Sequence, residues 1–251
     1  MLVAGIRVAA ASPDDVIGRP LVLGQGQVDA ELTAEINLSA YQAGAPTSLA
    51  PDIWYGLLPE LTIGVIHSDL SVDRIEPGAS VCINTVRQPI TNTCFDRYHN
   101  VGLDVLYSIA TGSFAAAAHV RVLARDFEPV FKPAITMGAT LRWHLGRWSI
   151  TGDPFLQLGL ANRAAGNRAE LWLPVVLAVQ PMSRVAIQLY TGWNSDLAVW
   201  TDGYDVPAAI GVRIRALRNV DAGATFGFPS ILGPQNDEKQ RVLFFDVGWR
   251  S

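Results

Sequence analysis

The residues of this chain that could do covalent chemistry are few. Its histidines are His67, His99, His119 and His144, with Ser68 and Asp69 following the first. A hydrolytic site needs a nucleophile, a base within hydrogen-bond reach and a group that orients the base. His67 and Ser68 are consecutive, and consecutive residues of a strand point to opposite faces. His119 and His144 fall on the polar face of neighbouring segments that run in opposite directions, and no serine stands beside either. No catalytic residue is therefore expected, and the chain does not read as an enzyme. The two cysteines, Cys82 and Cys94, share one polar stretch. A local pair in a chain without other cysteines reads as a disulfide that staples a loop, a bond that persists in oxidising compartments. The pair is too widely spaced for a redox CxxC. With only His99 nearby, two sulfurs are too few for zinc, so neither a metal nor a cofactor is expected.

What remains is charge, and it is placed with a strict period. In Val28-Asp29-Ala30-Glu31-Leu32-Thr33-Ala34-Glu35-Ile36-Asn37-Leu38-Ser39 the even positions are all apolar and the odd ones all polar. Such a strand has one greasy face and one wet face. The same alternation continues along the chain. Its wet face carries the acids Asp29, Glu31, Glu35, Glu60, Asp104, Asp153, Glu170, Asp221 and Asp246. It also carries the bases Arg121, Arg125, Arg142, Arg184, Arg213 and Arg215. The chemistry open to such a set is the electrostatic handling of polar solutes.

The elements that must hold these charges are strands. Twelve are expected, at about 27–40, 48–57, 60–69, 100–110, 114–125, 132–144, 148–160, 168–180, 183–193, 205–216, 219–228 and 240–250. Tight turns near Leu58-Pro59, Thr111-Gly112-Ser113, Leu145-Gly146-Arg147, Pro181-Met182 and Arg218 alternate with longer polar loops. Short and long connections in alternation are what an up-and-down barrel produces when one rim has turns and the other has loops. Residues 26–251 form one barrel domain in this reading. Residues 1–25 form an N-terminal extension, either a periplasmic or luminal segment or a signal remnant.

The faces decide what surrounds such a barrel. The apolar face runs through Leu103, Val105, Tyr107 and Ile109, then through Ile210, Val212 and Ile214, and ends with Phe245, Val247 and Trp249, without a charge inside any strand. A soluble barrel would put its charges outside, on a face rich in lysine and glutamate that keeps it soluble and guards its edges. Here lysine occurs only at Lys132 and Lys239. Packing this many charges into a dry core would cost several kcal/mol per ion. Charges lining water and an apolar face against lipid avoid that cost, and closure leaves no strand edge unpaired in the bilayer. Aromatics support the same orientation. Tyr55, Phe114, Trp143, Trp148 and Trp249 stand outward beside the turns, and Trp193 and Phe228 outward near the loops, as two interfacial belts.

Composition bounds the remaining classes. The chain has 251 residues, of which 17% are charged and 49% hydrophobic. No run approaches the roughly 18 apolar residues of a spanning helix. A net charge of −4 provides no electrostatic case for nucleic acid.

The chain resembles a small outer-membrane β-barrel of Gram-negative bacteria, of the twelve-stranded kind. The resemblance covers roughly 27–251. It rests on the architecture, on the hairpin Trp54-Tyr55-Gly56-Leu57-Leu58-Pro59-Glu60-Leu61-Thr62-Ile63-Gly64-Val65 and on the closing strand Val242-Leu243-Phe244-Phe245-Asp246-Val247-Gly248-Trp249. That family usually ends on an aromatic, and here Arg250 and Ser251 follow Trp249. The resemblance implies a closed antiparallel transmembrane barrel in the bacterial outer membrane, with short periplasmic turns and longer extracellular loops, surrounded by membrane lipid and lipopolysaccharide. Three functions fit it. The first is a passive pore for small hydrophilic solutes or ions, whose acidic wall (strands eleven, twelve and one to four) faces a mainly basic one. The second is a structural barrel with an envelope protein partner at the small outward residues Ala30, Ala34, Ala222 and Ala224. The third is a barrel-embedded lipid hydrolase. A soluble lipocalin-like carrier is the alternative outside the membrane.

Overall fold

The computed structural model describes residues 15–39, 47–67, 81–84, 100–125, 127, 130–234 and 239–251, with 81–84 as backbone alone. Its strands are β1 (Val28–Asn37), β2 (Thr47–Leu58), β3 (Leu61–Ile66), β4 (Val81–Asn84), β5 (Val101–Ala110), β6 (Phe114–Ala124), β7 (Pro133–Leu145), β8 (Trp148–Gly152), β9 (Phe155–Gly159), β10 (Ala169–Trp172), β11 (Val175–Met182), β12 (Val185–Thr191), β13 (Asn194–Asp196), β14 (Tyr204–Leu217), β15 (Val220–Leu232) and β16 (Val242–Arg250). All pairings are antiparallel, and they form a closed barrel of twelve staves. The ring closes where β1 meets β16, in register from Asp29↔Arg250 to Asn37↔Val242.

Nine staves are single strands. The other three are β8 with β9, β10 with β11, and β12 with β13. Their interruptions lie side by side, at Asp153-Pro154, Leu173-Pro174 and Gly192-Trp193. Proline has no N–H to give a ladder, so a strand that contains one is broken there. In a bilayer the carbonyls at these breaks must still find donors. They do: Ala139 N–H donates to Pro154 O at 3.1 Å, Asp153 N–H to Pro174 O at 3.3 Å and Leu173 N–H to Trp193 O at 2.7 Å. The expected strands 148–160 and 168–180 are thus each one stave made of two short strands, whereas 183–193 holds β12 alone and β13 carries that stave past the expected end. β4 was not expected. It lies within the polar stretch between β3 and β5 and pairs with the loop end of β2. The disulfide expected between Cys82 and Cys94 lies outside the described residues, because Cys94 does.

The alternation resolves into an outer and an inner face. Ile63, Val65, Leu103, Val105, Tyr107, Ile109, Val120, Val122, Ile210, Val212, Ile214, Phe245 and Val247 are exposed. Among the described residues, no strand position on this face carries a charge. A continuous exposed apolar band of this kind is unstable in water and suited to lipid. At the turn rim Tyr55, Phe114, Trp143, Trp148 and Trp249 are exposed, and Phe114 and Trp143 meet edge to face at 6.4 Å. At the loop rim the expected pair is half-buried: Trp193 stacks on Tyr204 and Phe228 packs against Phe226. Among the described residues, Phe127, Phe131 and Trp200 are exposed aromatics there.

Candidate functional site: a charged cavity inside the barrel

Most of the described charges on the inner face are paired. On the side of β5 to β9, Asp104, His119, Arg121 and Asp153 are all nearly inaccessible to solvent; Asp153 is only 1% exposed. His119 Nε2 lies 2.6 Å from Asp104 Oδ1, and its Nδ1 lies 3.2 Å from Asp153 Oδ1. Arg121 reaches the same two carboxylates at 3.5 and 3.6 Å. Thr140 donates to Asp153 Oδ1 at 2.7 Å, and the indole N–H of Trp54 donates to Asp104 Oδ2 at 2.8 Å. The Arg121 guanidinium also lies over the Phe155 ring, 5.7 Å from its centre. The backbone break places Asp153 here. A residue before proline is held extended, and Asp153 then projects inward between β8 and β9.

A second set lies on β1, β14, β15 and β16, near the turn end. Arg213 reaches Glu31 at 3.3 Å and Asp246 at 3.2 Å, although β14 and β1 are three staves apart. Glycine makes this reach possible. Gly223, on β15, stands beside Arg213 of β14 and Asp246 of β16, and a Cβ at 223 would collide with the Asp246 carboxylate. Arg215 bonds Asp221 at 2.9 Å, and Arg250 approaches Asp29 at 3.2 Å. Arg125 and Glu170 approach to 3.6 Å at the loop end, where Gln157 also donates to Glu170 at 2.9 Å.

The structure therefore corrects one expectation about the lumen. Acidic and basic residues do not stand as opposed, separate walls. Long arginines lean across small neighbours to carboxylates one to three staves away, because an unpaired charge on a half-dry wall is costly. Two positions also differ from expectation. Glu60 and Arg184 are exposed in tight turns, at the rim and not on the wall. Among the rest, Glu35 and Arg142 are buried on the inner face, and Asp29, Glu31, Arg125, Glu170, Arg213 and Asp246 are half-buried there.

Several residues of the site were missed. Asp52 accepts from His67 N–H at 2.6 Å, and Arg250 is an inward residue of β16. Both obey the alternation and were readable from it. The inward aromatics were missed as well. Phe155 and Trp172 stack at 5.8 Å, and Trp54 packs on a small apolar cluster of Ile66, Leu123 and Ala134. Between the two charged sets lies a cavity of about 270 Å³. Its walls include Asp104, His119, Arg121, Glu31, Arg213 and Asp246, with Trp54, Tyr190 and Phe244.

The floor of this cavity is the chain's own N-terminal segment, through Leu21 and Leu23. Val16 and Ile17 N–H groups point to Gln180 Oε1 at 2.9 and 3.3 Å. Ile17 packs on Ala178 and Ala186. Arg19 pairs with Asp221. Leu23 N–H donates to Thr62 Oγ1 at 2.8 Å, and Gly26 and Gln27 exchange backbone bonds with Gly56. Gly56 faces inward, and the Gly24 carbonyl occupies the place a Cβ would need.

Solved structures give the geometry a context. The barrel is similar to the NanC porin, with a TM-score of 0.62 and 6% identity over 88% of this chain and 98% of that one. It is similar to the KdgM porin, solved in complex with disordered oligogalacturonate, with a TM-score of 0.56 and 9% identity over 88% and 98%. It is also similar to the outer membrane protein Omp33 of Acinetobacter baumannii, with a TM-score of 0.50 and 9% identity over 90% and 99%. The fold is that of an outer-membrane porin. At such identities the likeness concerns the fold alone. No protein-family model and no curated protein sequence matches the chain. The porin fold agrees with an outer-membrane location and with the uncharged outer band.

Proposed function

We propose that this barrel is an outer-membrane channel for small hydrophilic solutes or ions. The observation that carries this reading is the charged cavity inside a closed barrel whose outer face suits lipid. Charges that line water govern which solutes pass, and here each arginine of the cavity is balanced by a carboxylate within 4 Å. A lining of balanced pairs favours polar solutes of low net charge over strongly charged ones. Enzymatic chemistry has little support. His119 is held between two aspartates and Arg121, and the hydroxyl beside it, Thr140, spends its proton on Asp153. The second reading, a closed barrel that serves an envelope assembly, is favoured by the apolar filling of Ile66, Leu123 and Trp54 near the loop end.

Planar-bilayer recording with the purified full-length chain separates the two. The channel reading expects discrete current steps whose size follows salt concentration. Electrical silence at every voltage, from protein shown to be folded, would overturn it and leave the structural barrel.

A further inference from the structure

The segment from Asp15 to Gln27 crosses the turn-side mouth of the lumen from one wall to the other. Its first anchor, Gln180, is on β11, and its last, Gly56, is on β2. In the ring of twelve staves these are the eighth and the second, on opposite sides. Thirteen extended residues span at most about 45 Å, so the crossing is not forced by the length of the chain. The wall is shaped to receive it. Ile17 is only 6% exposed, seated on two buried inward alanines, Ala178 and Ala186. Gly56 leaves space for the backbone at the far side. Between these points Arg19 meets Asp221, which also accepts from Arg215.

The segment and the wall are held by different means. Every stave is held by backbone ladders on both sides, whereas residues 16–23 are held to the wall by side chains of the barrel and one ion pair. Elements with few backbone bonds open first. Leu21 and Leu23 of this segment line the cavity on its turn side.

We propose that Val16–Leu23 is the gate of the pore, closed when Ile17 and Arg19 are seated and open when they are released. The inference rests on the channel reading and adds the part that sets its conductance. No chemical step is involved, only the exchange of Ile17 and Arg19 between wall and water.

The test compares single-channel records of the full-length wild type with those of Ile17→Asp/Arg19→Glu, which places carboxylates against the alanine seat and against Asp221. Gln180→Ala, altered on the wall alone, is the second variant. Heat-modifiable gel mobility first establishes that each barrel is folded. Sparse, brief wild-type openings and an open fraction raised about tenfold or more in both variants, the scale of losing one strong contact in a two-state equilibrium, support the gate. Equal open fractions and equal step sizes in all three overturn it while the channel stands. Silence in all three overturns the channel itself, and the gate with it.

Discussion

Asp153 shows how one residue joins the wall of the barrel to its lumen. It stands at the break before Pro154, donates its backbone N–H to Pro174 O and binds Thr140, His119 and Arg121 through its carboxylate. Removing one member of a buried charged cluster leaves the others uncompensated, at a cost of about 3–5 kcal/mol. Asp153→Ala is expected to lower the stability of the barrel by that amount, read from the urea midpoint in lipid vesicles, whereas Thr140→Val should cost about 1 kcal/mol. Arg213 makes the complementary case for function. It neutralises Glu31 and Asp246 together. Arg213→Gln is expected to remove a positive charge from beside two lumen carboxylates and to move the reversal potential in a salt gradient toward cation preference. An unchanged reversal potential would mean that these carboxylates do not border the conducting path.

At the scale of the element, each stave serves two solvents. β5 presents Leu103, Val105, Tyr107 and Ile109 outward and Gly102, Asp104 and Leu106 inward. The outer face is tolerant of any large apolar residue and intolerant of charge. Val105→Arg, near the middle of β5, is expected to destabilise the barrel by about 2–4 kcal/mol, the cost of a cation facing the bilayer midplane. The same substitution at Leu145, beside a tight turn, should cost about 0–1 kcal/mol. A flat profile between these positions in vesicle unfolding would count against a lipid-facing band. The interrupted staves follow a different logic. Pro154 and Pro174 cost ladder donors, yet their carbonyls are satisfied by Ala139 and Asp153, so closure survives the breaks.

At the scale of the whole molecule, closure and the N-terminal crossing set what the barrel can do. Closure follows from the pairing of β1 with β16 and of β12 with β14, which leaves the wall without an edge. The crossing segment then divides the lumen into a turn-side mouth and the charged cavity above it. Ionic strength provides a check that needs no mutation. The Arg19–Asp221 pair is partly exposed, with side chains 19% and 6% accessible, and salt screens such pairs. Open fraction should therefore rise with salt by more than the conductance step does, and a constant open fraction would mean that this pair does not hold the gate.

Much of this was legible in the sequence, for a physical reason. Lipid outside and water inside impose a period of two on every stave, so the alternation in 28–39 and its repeats determined the strands, their faces and the barrel. The inward positions of Asp104, Arg121, Arg213 and Asp246 follow from that period alone. So do those of Asp52 and Arg250, which were overlooked although the rule reached them. The tertiary structure alone decided which charges meet. Arg213 finds Glu31 because Gly223 and Gly248 leave room on the two staves between them and closure brings β16 beside β1. It alone also decided the course of residues 15–27. They follow no period and form no ladder, and their anchors, Gln180, Asp221 and Thr62, lie on staves far apart in the chain. Periodicity reports the solvent on each side of a strand. It carries no information about a segment whose place is set by contacts across the lumen.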